Sequence, residues 1–475
     1  VDSPAARIAA LMRQSSLPSG EMVVPAPEAR GLNRTGGTGS LCCSRALGAS
    51  ARYVRNMSAR IERITFPGSQ GDELAARLDL PAGPPIAFAL FAHCFTCGKD
   101  VKAASRIATA LTDSGFGVLR FDFTGLGKSD GEFANTNFTS NTDDVLAAAE
   151  WLRNAHQAPQ LLIGHSLGGA AVLAIADAID EVRAVATIGA PADPEHVTGV
   201  FADAVDEIAA TGEANVQLAG RTFTIRQQFL DDLRNHVVTD RVAESRKANL
   251  ILHSPVDNTV GIENAGDIFD AARHPKSFVS LDGADHLLTD PIDAAFAASM
   301  IAGFAKRYVD DQSGALAAPV ASAPVVVAET AQGPFLNHVV VGQHRLLADE
   351  PTSIGGFDAG PAPYDFLGAA LGACTSMTLR MYADRKKLPL DRVTVEVSHG
   401  KVHADDCAEC ADNDNVFAEI ATGRATMIDR FERVITIEGD DLTAEDKQKL
   451  LAIADKCPVH QTLESASAIA TRLAD

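Results

Sequence analysis

Gly164-His165-Ser166-Leu167-Gly168 constrains this chain more than any other stretch. It directly follows the apolar run Leu161-Leu162-Ile163 and opens the small-residue segment Gly169-Ala170-Ala171-Val172-Leu173-Ala174. A buried strand that turns into a helix through a serine with glycine on both sides is the setting in which a serine becomes a nucleophile. The glycines make room for a strained backbone at Ser166, which lifts its hydroxyl clear of the sheet. The remaining chain must then supply a base, an acid and donors for a developing oxyanion.

The surrounding pattern predicts the sheet. Between residues 59 and 309 the short apolar runs Ile86–Ala92, Val118–Phe123, Leu161–Ile163, Ala184–Ile188, Leu250–Leu252 and Phe278–Leu281 read as buried strands. Helical stretches such as Ala103–Thr112 and Thr142–Asn154 lie between them. Strand alternating with helix gives an α/β fold, a doubly wound, mostly parallel sheet with helices on both faces. Gly164, Gly189 and Ser254 each close a strand, so functional loops are expected at the C-terminal strand edge. Residues 195–247 interrupt the alternation and read as a small cap, with a hairpin and then a helix over Leu218–Phe229. Residues 310–333 are Ala- and Pro-rich and read as a linker. From 334 to 475 a second, α+β pattern follows. Its strands are Val339–Val341, Val393–Val397 and Arg433–Ile437, around a long helix over Pro363–Arg385 with a helical pair at the end.

At 475 residues the chain is long enough for about two or three domains. A net charge of −21 excludes nucleic acid and anionic membrane as main partners. No apolar run reaches the roughly 18 residues that would span a bilayer. Eight cysteines in so long a chain form no disulfide framework, and reduced thiols in a cytoplasmic protein are the expectation. Residues 1–58 differ from the rest. Up to residue 56 they hold seven arginines, no lysine and only three acids, broken by Pro and Gly. They are expected to be a disordered or non-native extension, with Met57 a natural start.

Ser166 finds its partners downstream. His286 sits in Gly283-Ala284-Asp285-His286, after the last predicted strand, and Asp257 follows the strand ending at Leu252. His286 would take the Ser166 proton, and Asp257 would hold its tautomer and stabilise its charged form. Asp285 is the rival acid, but it adjoins His286 and would point the wrong way. The oxyanion donors are expected to be the backbone N–H of Leu167 and one from His93-Cys94-Phe95-Thr96, with Phe95 preferred and Cys94 second. Asp122-Phe123-Thr124-Gly125-Leu126-Gly127-Lys128-Ser129 is glycine-rich but lacks P-loop spacing, so it is read as shaping the pocket.

On the Ser166 pentapeptide, the Phe121-Asp122-Phe123-Thr124-Gly125-Leu126-Gly127 run and the Ala284-Asp285-His286 end, residues 60–309 resemble the α/β-hydrolase superfamily, especially small bacterial esterases and peptidase-like hydrolases. The resemblance implies cofactor-free hydrolysis of a small-molecule ester or related acyl compound. Cys94 and Cys97 form a C-x-x-C beside the expected oxyanion hole. They are read as two buried small side chains, with a redox switch as the alternative.

In the second domain Cys374 lies inside the apolar helix, where free cysteine often sits. Cys457 precedes Pro458-Val459-His460 at a helix start, where the dipole favours a thiolate. The runs Ala348-Asp349-Glu350-Pro351, Gly360-Pro361-Ala362-Pro363-Tyr364, Ala369–Cys374 and Cys457-Pro458-Val459-His460 resemble the OsmC/Ohr thiol peroxidases. That resemblance implies a homodimer in which Cys374 attacks an organic hydroperoxide. Cys457 resolves the product as a disulfide, and a dithiol regenerates both. The family also uses an arginine and a carboxylate at the attacking thiol. Where the carboxylate commonly stands this chain has Tyr364, with Asp365 adjacent, and Arg345 and Glu350 are candidate substitutes. The alternative is that the second domain only dimerises the hydrolase or binds a ligand. His399, His403, Cys407 and Cys410 have zinc-ligand types and spacing, but flanking acids make a solvated loop the competing reading. No metal or other cofactor is expected.

Overall fold

A computed structural model describes residues 60–95, 97–218, 220–403, 427–465 and 467–474. The extension at 1–58, Cys407 and Cys410 lie outside the described residues.

The apolar runs of the first half form strands β1 (Arg60–Pro67), β2 (Glu73–Leu80), β3 (Ala87–Ala92), β4 (Phe116–Phe121), β5 (Pro159–His165), β6 (Ala184–Ile188), β7 (Glu213–Leu218), β8 (Arg221–Arg226), β9 (Ala248–His253) and β10 (Lys276–Ser280). All except β7 and β8 join one eight-stranded sheet in the order β1-β2-β4-β3-β5-β6-β9-β10. The six strands from β4 to β10 run parallel, while β1 and β2 are antiparallel. Helices α1 (Lys102–Asp113), α2 (Phe138–Ala155) and α3 (Leu167–Ile175) connect the central strands.

Burial of both faces follows from the strand period of two. Along β3, Phe88, Leu90 and Ala92 enter one core with α2 and α3, while Ala87, Ala89 and Phe91 enter the other with α1. Such strands read as unbroken apolar runs, which is why the sequence marked them.

Between β6 and β9 the alternation breaks, as the sequence reading expects. This interval holds a 3-10 turn (Pro194–Phe201), α4 (Ala202–Thr211), the β7–β8 hairpin, α5 (Gln227–Leu233) and α6 (Val238–Glu244). The hairpin begins at Glu213, before the expected Leu218. Phe201, Phe223 and Phe229 turn their rings inward and join the core that also holds Leu167. Helices α7 (Glu263–Ala271) and α8 (Pro291–Ala305) complete the first domain.

The second domain starts earlier than the linker reading allows. Within the Ala/Pro-rich stretch, β11 (Val325–Glu329) pairs with β12 (Asn337–Val341), which pairs with β13 (His344–Ala348). Three successive valines outweigh the surrounding composition once a partner strand is in register. Helix α9 (Pro363–Lys386) then packs on a long hairpin of β14 (Arg392–His403) and β15 (Met427–Glu438). Helices α10 (Ala444–Ala454) and α11 (Pro458–Glu464) close the fold. Its small core holds Leu379, Ala383, Leu390, Leu450 and Ala454.

Candidate active sites

Ser166 leaves β5 with φ 54° and ψ −125°, a left-handed backbone that a side chain rarely adopts. The surrounding glycines permit it by close approach. A Cβ on Gly164 would collide with the backbone of Gly168 and Gly169, and one on Gly168 would collide with the carbonyls of Ala92 and His93. The first turn of α3, carrying Leu167, is therefore pressed against the loop that follows β3 and carries Phe95.

The loops after β6, β9 and β10 meet the same place. Ser166 N–H donates to Ile188 O, at 2.9 Å. The next residue, Gly189, faces the acid and the imidazole. A Cβ there would lie 3.2 Å from Asp257 Oδ2 and 3.3 Å from His286 Nδ1. Those two groups are joined, His286 Nδ1 donating to Asp257 Oδ2 at 2.7 Å. His165, just before Ser166, donates its Nε2–H to His286 O at 2.7 Å. The structure thus gathers Ser166, Asp257 and His286 at the C-terminal strand edge. Asp285 is turned away, accepting from Thr289 N–H at 3.0 Å.

Burial would raise the Asp257 carboxyl, but the His286 bond and the N–H groups of Val260 and Thr259 outweigh it and hold its pKa below the usual range. Burial pushes His165 down to about 4, so it is neutral and works as a bracket for the His286 backbone.

Sequence reasoning missed the group that anchors the loop after β3. Asp122 is buried and accepts Lys99 N–H (2.6 Å), Lys99 Nζ (2.5 Å) and Lys128 N–H (2.9 Å). Arg120, bound to Asp79 by two hydrogen bonds, also donates to Lys99 O. The glycine-rich run therefore does shape this site, by wrapping the Asp122 carboxylate. The C-x-x-C reading needs correction: Cys94 and Cys97 form a disulfide rather than two separate buried thiols. Their spacing places the Cα atoms 5.4 Å apart, within bonding range.

In the second domain Cys374 is half-buried on α9 and Cys457 is buried at the start of α11. Cys374 is close enough to Cys457 to favour its thiolate. Burial would raise Cys457, but Cys374, the N–H groups of His460 and Val459, and Thr375 together hold it below the ordinary thiol range.

Arg345 and Glu350 are not brought to this pair. Arg345 donates to Gly342 O and His344 O within its own hairpin, and Glu350 accepts Asp358 N–H through its backbone carbonyl. The nearby arginine is Arg433 on β15, donating to Thr375 Oγ1 (3.0 Å), Ala454 O (3.1 Å), Asp455 (2.9 Å) and His460 Nδ1 (2.9 Å). Its signal was an arginine on the face of β15 shared with Phe431, Ile435 and Ile437. His399 is engaged by Asp429 at 2.9 Å and stacked on Tyr364 at 4.1 Å. Among the described residues no group of three or more His, Cys, Asp or Glu could hold a metal ion. Nor, among them, is any helix long and apolar enough to cross a membrane.

Comparison with known proteins finds a separate family match in each half of the chain. Residues 89–236 match the family model of the serine aminopeptidases S33, and residues 356–472 match that of OsmC-like proteins. The esterase domain of a Rhodothermus marinus protein is 50% identical, covering 52% of this chain and 99% of that one, with a TM-score of 0.44. The uncharacterized protein YfhR of Escherichia coli O157:H7 is 21% identical over 238 residues, 50% of this chain and 73% of its own. The mitochondrial palmitoyl-protein thioesterase ABHD10 of Rattus norvegicus is 26% identical over 212 residues, 43% of this chain and 70% of its own. The first half of the chain belongs to the α/β-hydrolases, and an OsmC-like domain is fused behind it.

Proposed function

We propose that the first domain is a serine hydrolase of the carboxylesterase type. The observation that supports it most is the His286–Asp257 bond of 2.7 Å beside the strained Ser166. His286 takes the Ser166 proton through Nε2 as Oγ attacks the ester carbonyl, and returns it to the departing alkoxide. Backbone N–H groups of Leu167 and Phe95 receive the oxyanion. Water, deprotonated by His286, then releases the acid. An acyl thioester would follow the same path with a thiolate leaving. The test is cleavage of p-nitrophenyl esters of graded chain length: Ser166→Ala must abolish it.

For the second domain we propose thiol-dependent reduction of an organic hydroperoxide. Cys374 sulfur attacks the outer peroxide oxygen, giving a sulfenic acid and an alcohol. Cys457 then displaces water to form the disulfide, and a dithiol restores both thiols. The influence of Cys374 on Cys457 supports this, as does Arg433, bonded to Thr375 beside Cys374 and to His460 near Cys457. On α9, Met377 is 66% and Met381 73% exposed, which suits a homodimer through this domain. Hydroperoxide consumption with dithiothreitol tests the chemistry. Its absence in the intact protein favours the second reading, a domain that serves only for dimerisation or binding. A cytoplasmic setting is part of the same proposal and would be read by fractionation.

A further inference from the structure

The second oxyanion donor is a backbone amide, and its direction is set by the other end of the same peptide. The Cys94 carbonyl and the Phe95 N–H belong to one planar unit, so fixing the oxygen fixes the hydrogen on the opposite side. Two donors hold that oxygen. His93 Nδ1 donates to Cys94 O at 2.7 Å, and Cys97 N–H donates to it at 3.2 Å. His93 is buried, and since a carbonyl can only accept, its hydrogen must sit on Nδ1. The Cys94–Cys97 disulfide closes the turn that brings the second donor to this oxygen. The Phe95 ring is anchored separately, 5.5 Å from the ring of Phe229 and 5.6 Å from that of Phe133.

We propose that the Cys94–Cys97 disulfide is a redox-operated positioning element of the oxyanion hole, acting with His93 on the Cys94–Phe95 peptide. This rests on the serine hydrolase reading above. Cys94 is buried and Cys97 half-buried, so the attack falls on Cys97 Sγ. A dithiol's thiolate opens the bond there, forming a mixed disulfide and releasing the Cys94 thiolate. The reductant's second thiol then closes on the first and releases the Cys97 thiolate. Two electrons and two protons pass to the pair, and the reductant leaves as a cyclic disulfide.

Once the bond is open, the 3.2 Å contact is no longer enforced and the Phe95 N–H is held through its peptide by His93 alone. Complete loss of such a donor lowers kcat about 10²–10³-fold. The aromatic anchor and His93 remain, so the expected loss is smaller, about tenfold, with KM little changed.

The test uses the full chain, oxidised or treated with dithiothreitol, the state of Cys94 and Cys97 being read by alkylation and peptide mass. Reduction should lower kcat for p-nitrophenyl acetate about tenfold. Cys97→Ser should show the lowered kcat without dithiothreitol and no further response to it, which separates the effect from Cys374 and Cys457. His93→Leu should lower kcat, while His93→Asn, whose Nδ2 stands where the ring Nδ1 did, should restore most of it. Hydrogen exchange of the 93–99 segment should quicken on reduction, a readout that needs no activity. If a variant fails to fold, reduction of the wild type still decides. Full reduction of the pair with unchanged Ser166-dependent kcat and unchanged exchange would overturn the proposal. An oxidised wild type without Ser166-dependent cleavage would instead overturn the hydrolase reading, leaving exchange to judge the positioning.

Discussion

Replacing Asp257 by asparagine separates charge and tautomer from shape, and the structure dictates how the amide must sit. Asp257 Oδ1 accepts Thr259 N–H at 2.8 Å and Val260 N–H at 2.9 Å, while Oδ2 accepts His286 Nδ1–H at 2.7 Å. Two fixed backbone donors need an acceptor at the Oδ1 position, so the carbonyl oxygen of the new side chain must take that place. Its amino group then faces His286 Nδ1. The opposite rotamer would set an NH₂ against two N–H groups and orphan both, at about 1–3 kcal/mol each. Shifting the His286 proton to Nε2 costs less, so the ring adopts the tautomer that cannot take a proton from Ser166. The expected loss is about 10⁴ in kcat, or about 5.5 kcal/mol of barrier, as for the analogous change in a serine protease. Stability should fall by only about 1–2 kcal/mol, because the backbone bonds to the Oδ1 position persist. Steady-state kinetics on a p-nitrophenyl ester, paired with a urea titration, reads both quantities. An Asp257→Asn variant that folds and keeps kcat within about tenfold of wild type would refute the tautomer argument.

Gly189→Ala places a methyl 3.2 Å from Asp257 Oδ2 and 3.3 Å from His286 Nδ1, at a residue with φ 53°. It should cost about 1–2 kcal/mol of folding stability and lower kcat about 10–100-fold with KM near wild type, as read by denaturation and ester kinetics. His165, with its pKa lowered from 6.5 to about 4, binds fewer protons when folded than when unfolded. Stability should therefore fall as pH drops from 6.5 towards 4, by up to about 3 kcal/mol, and His165→Gln should flatten that slope in urea midpoints recorded across the window. Cys457→Ser should keep the first turnover of an organic hydroperoxide and leave a sulfenic acid on Cys374 that dimedone traps. Cys374→Ser should lose both the turnover and the adduct.

What the sequence made legible was set by periodicity and punctuation. Buried parallel strands such as β5 and β6 are unbroken apolar runs, and their closing residues Gly164 and Gly189 marked the loops that carry the site. Ser166, Asp257 and His286 could be singled out as candidates in that order because each follows a strand end. The β1–β2 hairpin was not, since Arg60, Glu62 and Arg63 obscure the apolar set of an edge strand whose other face meets solvent. Composition hid β11, because Val325–Val327 is too short to stand out from an Ala/Pro segment until β12 supplies hydrogen bonds. C-x-x-C spacing permits a disulfide but does not state the redox form, so the covalent closure around Phe95 could only come from the fold. Arg345 was only a candidate for the thiol pair, whereas Arg433 on β15 reaches Thr375, beside Cys374, and His460. Only three-dimensional pairing distinguishes the two, although an arginine on an apolar strand face was a usable clue.

The most direct measurement is the intact mass of the protein after reaction with a fluorophosphonate, followed by peptide mapping. A hydroxyl activated by the Asp257-aligned imidazole should take one adduct, mapped to Ser166, absent in Ser166→Ala and formed far more slowly in His286→Ala. An unlabelled wild type, an adduct on another residue, or labelling indifferent to His286 would contradict the account.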